Sequence, residues 1–249
     1  MARTIQSADC VLGHLYPMEM RKDSLIPLHV DIDQTPLSPF NQIWKWCEEL
    51  KHKAIAHQKR VMSGFDGRFQ ELLSAVTSHY PSSDQWNVTT HGVAFDQMVC
   101  RLSHDIEDRP PMFNQQWLSE LGQYLTRIVC AQMSGDRESL RLTFGKALNT
   151  MLEDMKSAED TGTGKMIITS CHDDTLLALL CSVYGESIHD SGIKWPEYAS
   201  HLIFELWRDG TSEKRFVKVL YNEVPLPVFE GKDRIDLDEL QRQWSDVIH

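Results

Sequence analysis

The sequence has no hydrophobic run long enough to span a bilayer, no internal repeat, no low-complexity tract and no surplus of basic residues. The first absence removes a helical membrane span. The last argues against a nucleic-acid surface, because phosphate backbones are bound by excess Lys and Arg and this chain carries a net charge of −11. Cysteine is also scarce. Six residues, Cys10, Cys47, Cys100, Cys130, Cys171 and Cys181, are too few for a disulfide scaffold in 249 residues, and they lack metal-site spacing. No basic stretch followed by an apolar run opens the chain, since Met1 leads straight into the amphipathic Ala2-Arg3-Thr4-Ile5-Gln6-Ser7-Ala8. What is present is ordinary globular usage, 41% hydrophobic and 24% charged, at a length that allows one large domain or a domain with a sizeable insertion.

The most informative stretch runs from Met166-Ile167-Ile168-Thr169-Ser170-Cys171 through His172-Asp173-Asp174 into Thr175-Leu176-Leu177-Ala178-Leu179-Leu180. An apolar strand that ends on an imidazole and two carboxylates and turns directly into a helix sits where open α/β sheets carry out chemistry. A helix N-terminus attracts phosphate, and His and Asp side chains beside it handle protons. At this point capping of the helix by Asp173 or Asp174 fits the same residues equally well. Cys171 adjoins His172, but consecutive residues leaving a strand diverge, so a Cys–His nucleophile pair is not expected there.

Periodicity organises the remainder. A helix is predicted over residues 4–16, where Ile5, Ala8, Val11, Leu12 and Leu15 share a face and Pro17 ends it. A short edge strand is predicted over residues 25–30, and a helix-rich region begins near Phe40. Within that region Trp117, Leu121, Leu125 and Ile128 form one apolar stripe and Phe144, Leu148, Met151, Leu152 and Met155 another, both read as core. After the Thr161-Gly162-Thr163-Gly164 break come a strand over 166–169, a helix over 175–184 capped by Gly185, and two strands over 202–207 and 216–221 around Asp209-Gly210. A last helix spans 236–247.

Several stretches, in order, resemble the histidine acid phosphatases, the branch 2 group that contains prostatic, lysosomal and lysophosphatidic acid phosphatases. Ser170-Cys171-His172-Asp173-Asp174-Thr175-Leu176 resembles the family's Ser-Ala-His-Asp-Thr-Thr motif. Arg3-Thr4-Ile5-Gln6-Ser7-Ala8 resembles its Arg-Thr-Leu-x-Ser-Ala helix, Ile26-Pro27-Leu28-His29 its Ile-Pro-Val-His strand, and Trp195-Pro196-Glu197-Tyr198-Ala199-Ser200-His201-Leu202-Ile203-Phe204-Glu205-Leu206 its Pro-Tyr-Ala-Ser segment entering a strand. Val219-Leu220-Tyr221-Asn222 is similar to the strand that follows. The resemblance implies an α/β fold of the phosphoglycerate mutase kind, a mainly parallel sheet flanked by helices with a helical cap insertion. Residues 1–39 and 156–249 would form the core and residues 40–155 the insertion, its last helices packing back on the core.

The activity implied is two-step hydrolysis of a phosphomonoester through a phosphohistidine. By match to the motif, His172 would bind the phosphoryl oxygens and Asp173 would protonate the leaving alkoxide. No metal or organic cofactor is expected. The partner implied is a small phosphomonoester, with no nucleic acid and no transmembrane segment, and a homodimer stays open. The family's nucleophile lies in an Arg-His-Gly-x-Arg-x-Pro motif, yet this sequence contains no Arg-His dipeptide. His14, on a helix without flanking arginines, is read as structural, and so is Arg3. The family's first strand and a phosphate-clamping arginine would also precede Met1. The expectation is therefore a fragment, an alternative-start product or an incomplete gene model of a larger phosphatase, inactive as it stands. A secretory signal would lie upstream too, which leaves the compartment open, and Asn87-Val88-Thr89 is a weak glycosylation hint. The disulfides of secreted relatives are in doubt, because no cysteine follows Cys181.

Two rival readings are distinguishable. A metal-dependent phosphohydrolase of the helical His-Asp class would need its doublet inside a helix bundle and ligand spacing among other histidines, which His91, His104 and His189 do not show. A catalytically inactive phosphatase-like module with a binding or regulatory role is the non-enzymatic reading.

Overall fold

Amphipathic helices make up most of the chain. The structure is a computed structural model and describes residues 2–21, 47–79, 88–106, 112–158, 166–184, 193–212, 214–227 and 231–248. Helices α1 (Ala2–Leu15), α2 (Glu48–Met62), α3 (Gly67–His79), α4 (Val88–Ser103), α5 (Gln115–Ser134) and α6 (Arg137–Ser157) precede α7 (Asp173–Tyr184). Strands β1 (Leu202–Arg208), β2 (Arg215–Tyr221), β3 (Val224–Pro225) and β4 (Ile235–Asp236) follow, and α8 (Leu237–Ile248) closes the order.

Local sequence explains where these helices begin. Asn114 accepts a hydrogen bond from the Trp117 amide at 3.0 Å and so satisfies one of the free donors that open α5. Asp136 does the same for α6 through the Ser139 amide at 2.7 Å, and Asp236 for α8 through the Asp238 amide at 3.0 Å. The stripe Trp117, Leu121, Leu125 and Ile128 then faces inward along α5, each residue buried, as the 3.6-residue period requires.

Among the described residues two apolar cores result. One gathers α6, α7, β2 and α8 around Leu148, Leu152, Leu177, Leu180, Val217 and Trp244. The other joins α3, α4 and α5 around Phe69, Met98, Phe113, Leu121 and Ile128. Full burial of each such side chain contributes about 1.5–3 kcal/mol. Trp195 packs against both cores and so stands at their seam.

The sheet differs from the expectation. Among the described residues it is antiparallel throughout: β2 is central, pairing β1 over the full register Leu202↔Tyr221 to Arg208↔Arg215, with β3 and β4 beside it. Residues 166–172, predicted to begin as a strand, form no ladder. Met166, Ile167 and Ile168 are 57, 53 and 40% exposed. The physical reason is that a strand exists only through a neighbour's hydrogen bonds, and no described strand pairs with this stretch. The chain is thus a mixed helix and sheet protein, mainly helical. The predicted strand over residues 25–30, the Gly-rich break, Gly185 and Asn87 lie outside the described residues. The helices predicted over 4–16, 175–184 and 236–247 and the two hairpin strands fall within two residues of their predicted bounds.

Candidate functional site

Residues 166–174 run along one wall of a cavity of about 2870 Å³. Other walls come from α1 through Arg3, Ser7 and Val11, from α2 through Lys51 and Ile55, from α6 through Met151 and Met155, and from the stretch 195–208. The hydroxyl of Ser170 donates to the Thr4 carbonyl at 2.8 Å, which ties the approach to His172 onto the first turn of α1. Ordinary ligand pockets occupy about 300–1,000 Å³, so this space exceeds what a small ester needs.

His172 and Asp173 both line the cavity. Asp173 is the first residue of α7, and the His172 carbonyl accepts the Leu176 amide at 3.2 Å, so both side chains leave a backbone fixed by the helix start. The two oxygens of Asp173 are engaged by different donors. Oδ1 accepts the Asp174 amide at 3.0 Å and Oδ2 accepts the indole N–H of Trp195 at 2.8 Å. Asp173 therefore caps a helical amide and faces the cavity wall at once, so capping and a chemical role do not exclude each other.

Asp174 is half-buried, and burial, followed by the nearby charge of Asp173, pushes its carboxyl above the usual carboxylate range, with His172 opposing. The same two causes, burial first and then the charges of Asp174 and Asp173, push the Cys171 thiol up to about 11. A thiol that holds its proton so tightly is no nucleophile near neutral pH, as expected from its position on the chain.

Arg3, read from sequence as structural, shares the cavity with His172 and Asp173. Its charge favours ionisation of Tyr198, but contact with Cys100 at 3.2 Å, burial and Asp96 outweigh it and push that phenol up to about 12. Tyr198 consequently remains a hydroxyl donor. His14 instead lies on α1 with Nδ1 2.9 Å from the Cys10 carbonyl, in keeping with a structural part. All six cysteines are free thiols. Among the described residues no group of His, Cys, Asp and Glu is arranged to hold a metal ion, and no helix is long and apolar enough to cross a membrane.

Sequence reasoning missed Trp195. Its place before Pro196 marked it only as the entry to a strand, and no periodic or motif signal shows that an indole 22 residues after Asp173 turns its N–H onto that carboxylate. The contact arises from tertiary packing of the seam between the two cores.

Comparison with known proteins gives this arrangement its context. Bovine (Bos taurus) lysophosphatidic acid phosphatase type 6 is 23% identical over 224 residues, which cover 88% of this chain and 49% of that protein. The human (Homo sapiens) protein of the same name is 24% identical over 244 residues, covering 94% and 54%. Bovine prostatic acid phosphatase is 28% identical over 237 residues, covering 88% and 57%. The chain spans about half the length of the curated relatives it matches. Residues 3–222 match the profile of the histidine phosphatase superfamily (branch 2), a span that takes in Arg3, the His172-Asp173 junction, Trp195 and both long strands, and the chain belongs to that family.

Proposed function

We propose that this chain carries the acid half of a phosphomonoester-hydrolysing site, with His172 binding phosphoryl oxygens and Asp173 protonating the departing alkoxide. The observation that carries the reading is the placement of Asp173 at the first residue of α7, beside His172 on the cavity wall, with its carboxyl held by two donors. An alkoxide is a poor leaving group, so a positioned acid speeds its departure by about 10²- to 10⁴-fold. The phosphoryl group would transfer to a histidine of an Arg-His-Gly segment that this sequence does not contain, and water would then release phosphate from that phosphohistidine.

Two features support a contribution from further polypeptide. Arg3, Lys51, Arg208 and Arg215 line the cavity against twice as many carboxylates, a poor balance for a dianionic ester. The cavity is bordered by residues 166–171 on one side and by β1, an edge strand of the described sheet, on the other. A basic strand seated there would supply phosphate-clamping guanidinium groups, pair with residues 166–171 and with β1, and cover Met166, Ile167 and Ile168. In this reading residues 1–39 and 156–249 belong to the α/β core and residues 40–155 to the helical insertion. The substrate is a small phosphomonoester.

The same charge balance favours a second reading, a phosphatase-like binding or regulatory module without turnover. Hydrolysis of p-nitrophenyl phosphate at acid pH, with acid-quench trapping of a phosphoenzyme, separates the two when it is measured on this chain joined to a family segment that carries the Arg-His-Gly nucleophile. Hydrolysis that falls by about 10²-fold or more in Asp173→Asn supports the acid assignment. Hydrolysis unaffected by that substitution removes it, and a well-folded preparation that traps no phosphoenzyme and turns nothing over favours the binding module.

A further inference from the structure

We propose that Trp195 is the positioning residue of the site: its indole N–H holds the carboxyl of Asp173, and its ring ties that carboxyl to the helical layer through Phe95 of α4. The inference rests on the reading of Asp173 as the acid. Three observations converge on Trp195. Its Nε1 donates to Asp173 Oδ2 at 2.8 Å. Its ring meets Phe95 edge-on, centroids 5.4 Å apart at 64°. It also packs against both apolar cores, and a Cβ placed on Gly122 of α5 would sit 3.5 Å from Trp195 Cβ and 3.3 Å from the Phe95 ring, so the pair is clasped against that helix backbone.

The mechanical consequence follows from these contacts. With Oδ1 held by the Asp174 amide and Oδ2 by the indole, rotation of the carboxyl about its own axis is restrained. The lone pairs left free are those turned away from both donors, and a proton for a leaving group is carried there. An indole N–H is donor only, so it aligns a carboxyl without competing for the proton. Because Phe95 and Gly122 belong to the helical layer, a ligand that displaces this layer would change the aim of Asp173.

The test needs no turnover. The chain contains seven tryptophans, so a ¹⁵N-labelled sample shows seven indole N–H signals, and Trp195→Phe assigns the one that matters. The expected result is that the Trp195 indole proton lies downfield of an indole in water and exchanges slowly with solvent, that Asp173→Ala moves it upfield and speeds its exchange, and that Phe95→Ala gives an intermediate signal. A Trp195 signal unchanged in Asp173→Ala overturns the assignment. A Trp195 signal in Phe95→Ala that matches wild type overturns the tie to the helical layer. Failure of the same preparation to hydrolyse p-nitrophenyl phosphate bears on the phosphatase reading alone, because the indole signal does not depend on it.

Discussion

Replacing Asp136 by alanine isolates the junction that holds two walls of the cavity together. Asp136 caps α6 through the Ser139 amide, and its Oδ2 also accepts Lys53 Nζ at 3.3 Å and His57 Nε2 at 3.1 Å from α2. Both helices contribute cavity-lining residues, Lys51 and Ile55 from one and Met151 and Met155 from the other. Loss of an aspartate cap costs about 1 kcal/mol. The ion pairs add less, about 0.2–1 kcal/mol, since the Asp136 and Lys53 side chains are 39% and 27% exposed and solvent screens them. The sum, about 1.5 kcal/mol, corresponds to a fall in Tm of roughly 3–6 °C for a chain of this size. Asp136→Asn keeps the cap and loses only the charge, so its cost is about 0.5 kcal/mol.

The pH dependence has a definite sign. Burial pushes the Asp136 carboxyl up, but the Ser139 amide, Lys53 and His57 together outweigh it and hold the group at about 2. A carboxylate depressed in the folded state contributes stability above the usual carboxylate range, and that contribution is lost as pH falls through the range towards about 2. Thermal unfolding monitored by circular dichroism at neutral pH and near pH 3 should therefore show the gap between wild type and Asp136→Asn shrinking with acid. The cap part of the Asp136→Ala deficit should persist. Equal losses in the two variants at neutral pH would refute the division between cap and charge, and a gap that widens in acid would refute the sign.

Further outcomes are expected elsewhere. Cys171 should react with iodoacetamide at pH 8 about 10²-fold more slowly than a peptide thiol, because its proton is held up to about 11; mass-spectrometric mapping against exposed Cys10 measures this. Trp244→Ala should destabilise the chain by about 3–5 kcal/mol, since the ring is fully buried against Phe204 and its N–H reaches the Ser182 carbonyl at 3.3 Å. Urea unfolding would show it as a large drop in midpoint.

The sequence by itself determined the elements that depend on local rules. The helical stripe of α5, the aspartate and asparagine at helix starts, and the alternation that buries Val217 and Val219 of β2 all follow from side-chain period and capping chemistry, which operate within a few residues. The family and the His172-Asp173 junction were legible because motif order survives in the sequence whatever the packing does. Only the tertiary structure decided the rest. An apolar run such as Met166-Ile167-Ile168 becomes a strand when another strand lies beside it, and no local signal reports whether one does. Likewise the hydrogen bond from Trp195 to Asp173, the place of Arg3 on the cavity wall and the elevated thiol of Cys171 depend on which groups from distant parts of the chain exclude water around one another. Desolvation and long-range contact are properties of the packed chain, and they set the electrostatics on which any chemistry at this site depends.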